Sequence, residues 1–91
     1  MLRPSHPRLD GNAAAGALGE LFGRDMTLAE GVCAHCRRSG PLAETIAEVD
    51  ADGVILICRG CRHTLLTYVS TPGRTSFAAA GLTEIRWRDQ P

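Results

Sequence analysis

Hydrophobic positions along this chain change period near residue 26. Before it, Leu18, Leu21 and Phe22 recur at i, i+3 and i+4, with Ala14 one turn earlier, which is the spacing of one helical face. Asp10 offers an N-cap and Gly23 a C′ residue, so the pattern predicts a short amphipathic helix over residues 11–22. Gly11, Gly16 and Gly19 each weaken it by about 1 kcal/mol relative to Ala wherever they are interior. Beyond the break the period shortens toward two. Met26, Leu28, Glu30 and Val32 share one face of an extended segment. Residues 42–49 fit two patterns: Leu42, Ile46 and Val49 lie on a helical face, and Ile46 and Val49 disagree in strand parity. The turn signal Asp50-Ala51-Asp52-Gly53 and the β-branched run Val54-Ile55-Leu56-Ile57 beyond it favour a strand there. Residues 63–70 read as a strand, Thr71-Pro72-Gly73-Arg74 as a turn and residues 75–79 as the partner. Residues 84–88 alternate Ile85 and Trp87 against charges, as an edge strand does. Residues 1–8, with two prolines, read as a flexible leader. Residues 9–91 then form one domain, with the helix at 11–22 and a β-rich part at 26–88.

Composition bounds what this pattern can build. With 91 residues there is space for one small core, and only Phe22, Tyr68, Phe77 and Trp87 are aromatic. A core of Leu, Val, Ile and Ala in so short a chain is marginal, and a bound metal is a usual remedy. Ten acids balance ten bases, all of them Arg, so bulk charge points to neither a nucleic acid nor a membrane. The N-terminal residues carry no apolar stretch of a secretory signal, and the longest aliphatic run is far too short to span a bilayer. The expected compartment is the cytoplasm, where thiols stay reduced.

That matters because the four cysteines fall in two hooks, Cys33-Ala34-His35-Cys36 and Cys58-Arg59-Gly60-Cys61. One such hook supplies two thiolates; two hooks separated by a segment able to run out and back supply a tetrahedral four-sulfur site. A thioredoxin-like redox hook would open a helix, and neither hook is followed by a helical pattern. Cys33, Cys36, Cys58 and Cys61 are therefore the candidate metal ligands. With all four positions filled by protein, no place remains for substrate or activated water, and the expected site is structural. The fold class that follows is small and mainly β, zinc-ribbon or rubredoxin-like, built of antiparallel hairpins with one N-terminal helix.

Several runs together strengthen this picture. Leu9-Asp10-Gly11-Asn12, Glu20-Leu21-Phe22, the two hooks, Gly40-Pro41-Leu42 and Thr71-Pro72-Gly73-Arg74-Thr75 resemble a group of short, functionally uncharacterised bacterial proteins of zinc-ribbon type. The resemblance spans residues 9–87. It implies the same four ligands, and the placing of such genes near flavin-dependent reductases implies a redox partner. One departure stands out: zinc-ribbon hooks commonly carry Gly after the second Cys, whereas here Arg37 and Arg62 stand there, so one or both turns are expected to differ from the usual knuckle.

Arg37, Arg38, Arg59 and Arg62 crowd the hooks. Guanidinium groups lower the cost of holding a four-thiolate centre of net charge −2, and they also suit nucleic-acid phosphates. Glu44, Glu48, Asp50 and Asp52 on the intervening segment offset the basic patch, and no basic face carries interleaved aromatics for base stacking. His35 and His63 read as exposed knuckle residues, since four sulfurs already suffice. His6 carries no signal. Asp10 and Asn12 could pair on a ligand, though an N-cap explains Asp10 more simply. No catalytic constellation is visible, so the expected protein is not an enzyme. It is a zinc-ribbon module that binds another protein, its narrow helical stripe being one candidate surface. A rubredoxin-like four-cysteine iron centre passing electrons to a flavin-dependent reductase is the alternative, and a nucleic-acid-binding ribbon comes third.

Overall fold

The computed structural model describes residues 8–23, 26 and 29–87. In chain order they form β1 (Arg8–Asp10), a 3-10 turn (Gly11–Ala14), α1 (Ala15–Phe22), β2 (Ala29–Cys33) and β3 (Ser39–Pro41). A second 3-10 turn (Leu42–Glu44), β4 (Ile46–Val49), β5 (Gly53–Ile57), β6 (Thr64–Thr71), β7 (Arg74–Ala78) and β8 (Leu82–Trp87) follow. The strands make two antiparallel sheets, one ordered β1-β4-β5-β6-β7 and the other β3-β2-β8. This is the mainly β fold, with one short helix, that the periodicity predicts. Among the described residues no helix is long and apolar enough to cross a membrane.

Local chemistry sets the hairpins. Asp50 closes the β4–β5 turn: its Oδ1 accepts the amides of Asp52 at 2.8 Å and Gly53 at 3.0 Å. Pro72-Gly73 closes β6–β7, with Gly73 at φ +81°. Two further hairpins, β2–β3 and β5–β6, are joined by the two cysteine hooks, one from each sheet.

The ambiguous stretch 42–49 divides. Leu42 belongs to the 3-10 turn, and a strand begins at Ile46. Its conflicting parity has a physical cause, because β4 is buried on both faces. Ala47 and Val49 meet the central core, while Ile46 lies opposite Ile57 and Glu48 opposite Ile55, and both Ile46 and Glu48 are buried. An interior strand covered on two sides has no polar face to alternate with.

Four expectations are corrected. The helix does not run over 11–22: residues 11–14 wind as a 3-10 turn, and the α-helix begins at Ala15. Asp10 is not the N-cap. Its backbone pairs with Ile46 in β1, and the cap is Ala14, with no side-chain bond. The Gly11 amide donates to Thr45 O at 2.7 Å and holds this corner on β4. Arg8 belongs to β1 rather than to the leader, whose residues 1–7 lie outside the described residues, as do Leu28 and Arg88. The face of β2 is also reversed. Ala29, Gly31 and Cys33 point into the core, and Glu30 and Val32 are half-buried on the other side. Small residues face inward because space is short: a Cβ on Gly31 would come within 2.8 Å of Leu42 Cδ2 and 2.9 Å of Leu82 Cδ2.

Gly23 does end α1, at φ +68° with its amide on Gly19 O at 2.7 Å. The apolar stripe of the helix serves the core. Ala14 and Leu18 are buried, and the Phe22 ring meets Phe77 and Trp87 edge-on at centroid distances of 5.3 and 6.0 Å. Phe22 thus bridges β7 of one sheet and β8 of the other. Leu21 projects from the helix as an exposed large hydrophobic side chain.

Leu18 and Gly16 separate packing from propensity. Leu18→Ala is expected to lower unfolding stability by about 3 kcal/mol. Gly16 is exposed, with open space at its Cβ position, so Gly16→Ala should raise stability by up to about 1 kcal/mol. Urea titrations read both signs, and a neutral Leu18→Ala would mean that α1 is not part of the core.

Candidate metal centre

Both hooks fold alike. Cys33 ends β2, and its amide donates to Arg38 O at 2.9 Å while its carbonyl accepts the Arg37 amide at 3.0 Å. Cys58 follows β5, and its amide donates to His63 O at 2.8 Å while its carbonyl accepts the Arg62 amide at 2.9 Å. Closing so tight a loop forces a left-handed residue after the second cysteine. Arg37 has φ +67° and Arg62 φ +69°. The expected departure from the usual knuckle therefore does not occur: the arginines adopt the conformation that glycine takes without strain.

The turn also aims amides at sulfur. Cys33 Sγ accepts the amides of His35 at 3.4 Å and Cys36 at 3.5 Å. All four sulfurs lie within 4.8 Å of one another, with Cys33–Cys61 and Cys36–Cys58 both at 3.7 Å. Four ligands 2.3 Å from one ion at tetrahedral corners would stand about 3.8 Å apart. The four cysteines are free thiols, and they are close enough together to hold a metal ion.

Burial is uneven. Cys33 and Cys58, the first of each hook, belong to the hydrophobic core, whereas Cys61 is half-buried and Cys36 exposed. The ionisation of the thiols divides on other grounds. Burial opposes the Cys33 thiolate, but the amides of Cys36 and His35 and the neighbouring thiols outweigh it, and its pKa falls to about 6. Burial likewise opposes the Cys58 thiolate, and the amides of Cys61 and Gly60 turn the balance downward. At Cys61 the His63 amide favours the thiolate, yet desolvation and the three neighbouring sulfurs prevail and push the pKa up to about 12. Sulfurs this close cannot all ionise without a cation between them.

All four hook arginines are exposed. Arg59 acts as a brace: its Nε donates to Glu44 O at 2.8 Å and its guanidinium reaches Thr45 O at 3.5 Å, tying the second hook to the turn before β4. Arg38 crosses from the first hook onto the second, where its Cδ lies 3.1 Å from the position a Cβ on Gly60 would take. Of the acids expected to offset this patch, Glu48 is buried in β4 instead. His35 and His63 are exposed as expected, and they stack on each other at a centroid distance of 3.6 Å. No spacing rule reveals that pair, because the two imidazoles come from hooks in different sheets. The side chains of Asp10 and Asn12, and all of His6, lie outside the described residues.

Comparison with known sequences gives this arrangement a family. The sequence model of a family of unknown function, DUF6510, matches residues 4–90, and the chain belongs to that family. No curated protein and no solved structure matches it.

Two outcomes follow from the site's geometry. Because Cys61 is raised well above neutrality, it carries a proton at pH 7, so metal uptake there should release at least one proton. Calorimetry in buffers of different ionisation enthalpy measures this, and uptake without proton release would contradict it. Arg37→Gly should remove left-handed strain and raise stability by about 1 kcal/mol. A fall in melting temperature would instead show that the guanidinium charge outweighs the strain.

Proposed function

We propose that this member of the DUF6510 family is a metal-stabilised accessory module that binds another protein and is not itself catalytic. One zinc ion held by Cys33, Cys36, Cys58 and Cys61 would pin its two sheets together. The observation that carries this reading is the clustering of four sulfurs within 4.8 Å of one another, delivered by two hairpin loops from different sheets. Four protein ligands leave no open coordination position. The cleft beside Cys33 and Cys58, about 50 Å³, has room for a water or two rather than a substrate. Tetrahedral thiolates suit iron as well as zinc, and a rubredoxin-like electron carrier would use the same ligands. Zinc is favoured because Cys36 is exposed and the aromatic rings of Phe22, Phe77 and Trp87 gather together as a core cluster, not as a wall around the sulfurs.

Elemental analysis of the purified protein should find one zinc per chain and no visible absorption; iron with a charge-transfer band would favour electron transfer. Cys58→Ser should forfeit much of a binding free energy on the order of 10 kcal/mol, more than the total stability of so small a fold, and abolish cooperative unfolding. Native near-UV dichroism with an unchanged melting temperature in that variant would refute a folding role for the metal.

A further inference from the structure

We propose that β7 is a dimerisation edge, at which two copies of this chain join antiparallel about Ser76 and make their five-stranded sheets continuous. The sheet edges differ in how they are protected. β1 is only three residues long, and β3 is three residues long and ends in Pro41. β8 carries Glu84 and Arg86, paired at 3.2 Å. Short length, proline and charge are the usual devices that keep an edge from pairing with another chain. β7 reads Arg-Thr-Ser-Phe-Ala, is exposed at every residue, and has no charge beyond Arg74 at the turn.

The ladder shows which backbone groups are free. The Ser70 amide donates to Asp52 O at 2.7 Å, so Ser70 turns its backbone toward β5. Alternation then turns Thr67, Val69 and Thr71 toward β7, where they face Ala78, Ser76 and Arg74. Thr75 and Phe77 consequently direct their amides and carbonyls away from the sheet, and among the described residues no strand pairs there.

These free groups complement themselves. A two-fold axis at Ser76 sets Thr75 of each copy opposite Phe77 of the other, so both residues meet their partners in hydrogen-bonded pairs. Arg74 falls opposite Ala78, with no like charges opposed. Phe77, 39% exposed, gains a cross-strand neighbour in Thr75 and a diagonal one in the second Phe77. A two-fold contact uses one edge on each copy and closes, so it gives a dimer and not a fibre.

The test is sedimentation equilibrium on the full chain as purified, together with cross-linking. Mass should rise with concentration from 9.7 kDa toward twice that value. Thr75→Pro deletes an amide that β6 does not use and should weaken association at least tenfold. Ser76→Cys should give an oxidised dimer whose peptide map shows a 76–76 bond, since directly opposed residues that do not hydrogen-bond stand about 4.5 Å apart at Cα. Arg74→Cys should give far less. A mass fixed at 9.7 kDa across the concentration range would overturn the proposal. So would a dimer unaffected by Thr75→Pro whose cross-links map elsewhere.

Discussion

The rest of this structure depends on four sulfurs meeting at one point. Each of the two hooks is the loop of a hairpin, and the hairpins lie in different sheets. A cation at that point would therefore join sheet to sheet, not merely cap a loop. Cys33 and Cys58 also belong to the hydrophobic core, so the site and the core are one packed unit. Without a cation, the same spacing crowds four ionisable thiols, and the opposed shifts of Cys33 and Cys61 express that conflict.

The second join between the sheets is hydrophobic. The largest fully buried side chains are Leu18, Met26, Leu56 and Leu66, and the aromatic contacts of Phe22 link β7 to β8. Buried Ala14, Ala29 and Ala47, and the buried Gly31, let backbones come close where the core has little bulk to offer. Such packing excludes water but contributes modest apolar area. A fold of this size gains from a second means of holding its sheets together.

Arginine at both left-handed positions shows two demands meeting in one residue. The knuckle needs a positive φ, which glycine adopts freely, while a metal held there by four thiolates would favour positive charge nearby. Arg59 and Arg38 add mechanical support to that charge, one holding the turn before β4 and the other crossing Gly60. The basic patch is thus partly a set of struts.

That the four cysteines would gather was legible from spacing, because two C-x-x-C hooks joined by a segment that runs out and back bring four sulfurs to one place. The hairpin signals at Asp50-Ala51-Asp52-Gly53 and Pro72-Gly73 were legible too, since turn chemistry is local. Local chemistry could not assign the face of β2, where the tight approach of Leu42 and Leu82 turns Gly31 inward. Nor could it explain the parity of β4, which comes from cover on both faces. Asp10 looked like a cap because its neighbours in sequence suggested one, and pairing with β4 gave its backbone another role. The His35–His63 stack and the free edge of β7 arise only once strands distant in sequence have been ordered. Side-chain spacing determined the chemistry of each hook; the pairing of strands decided what each hook was set against.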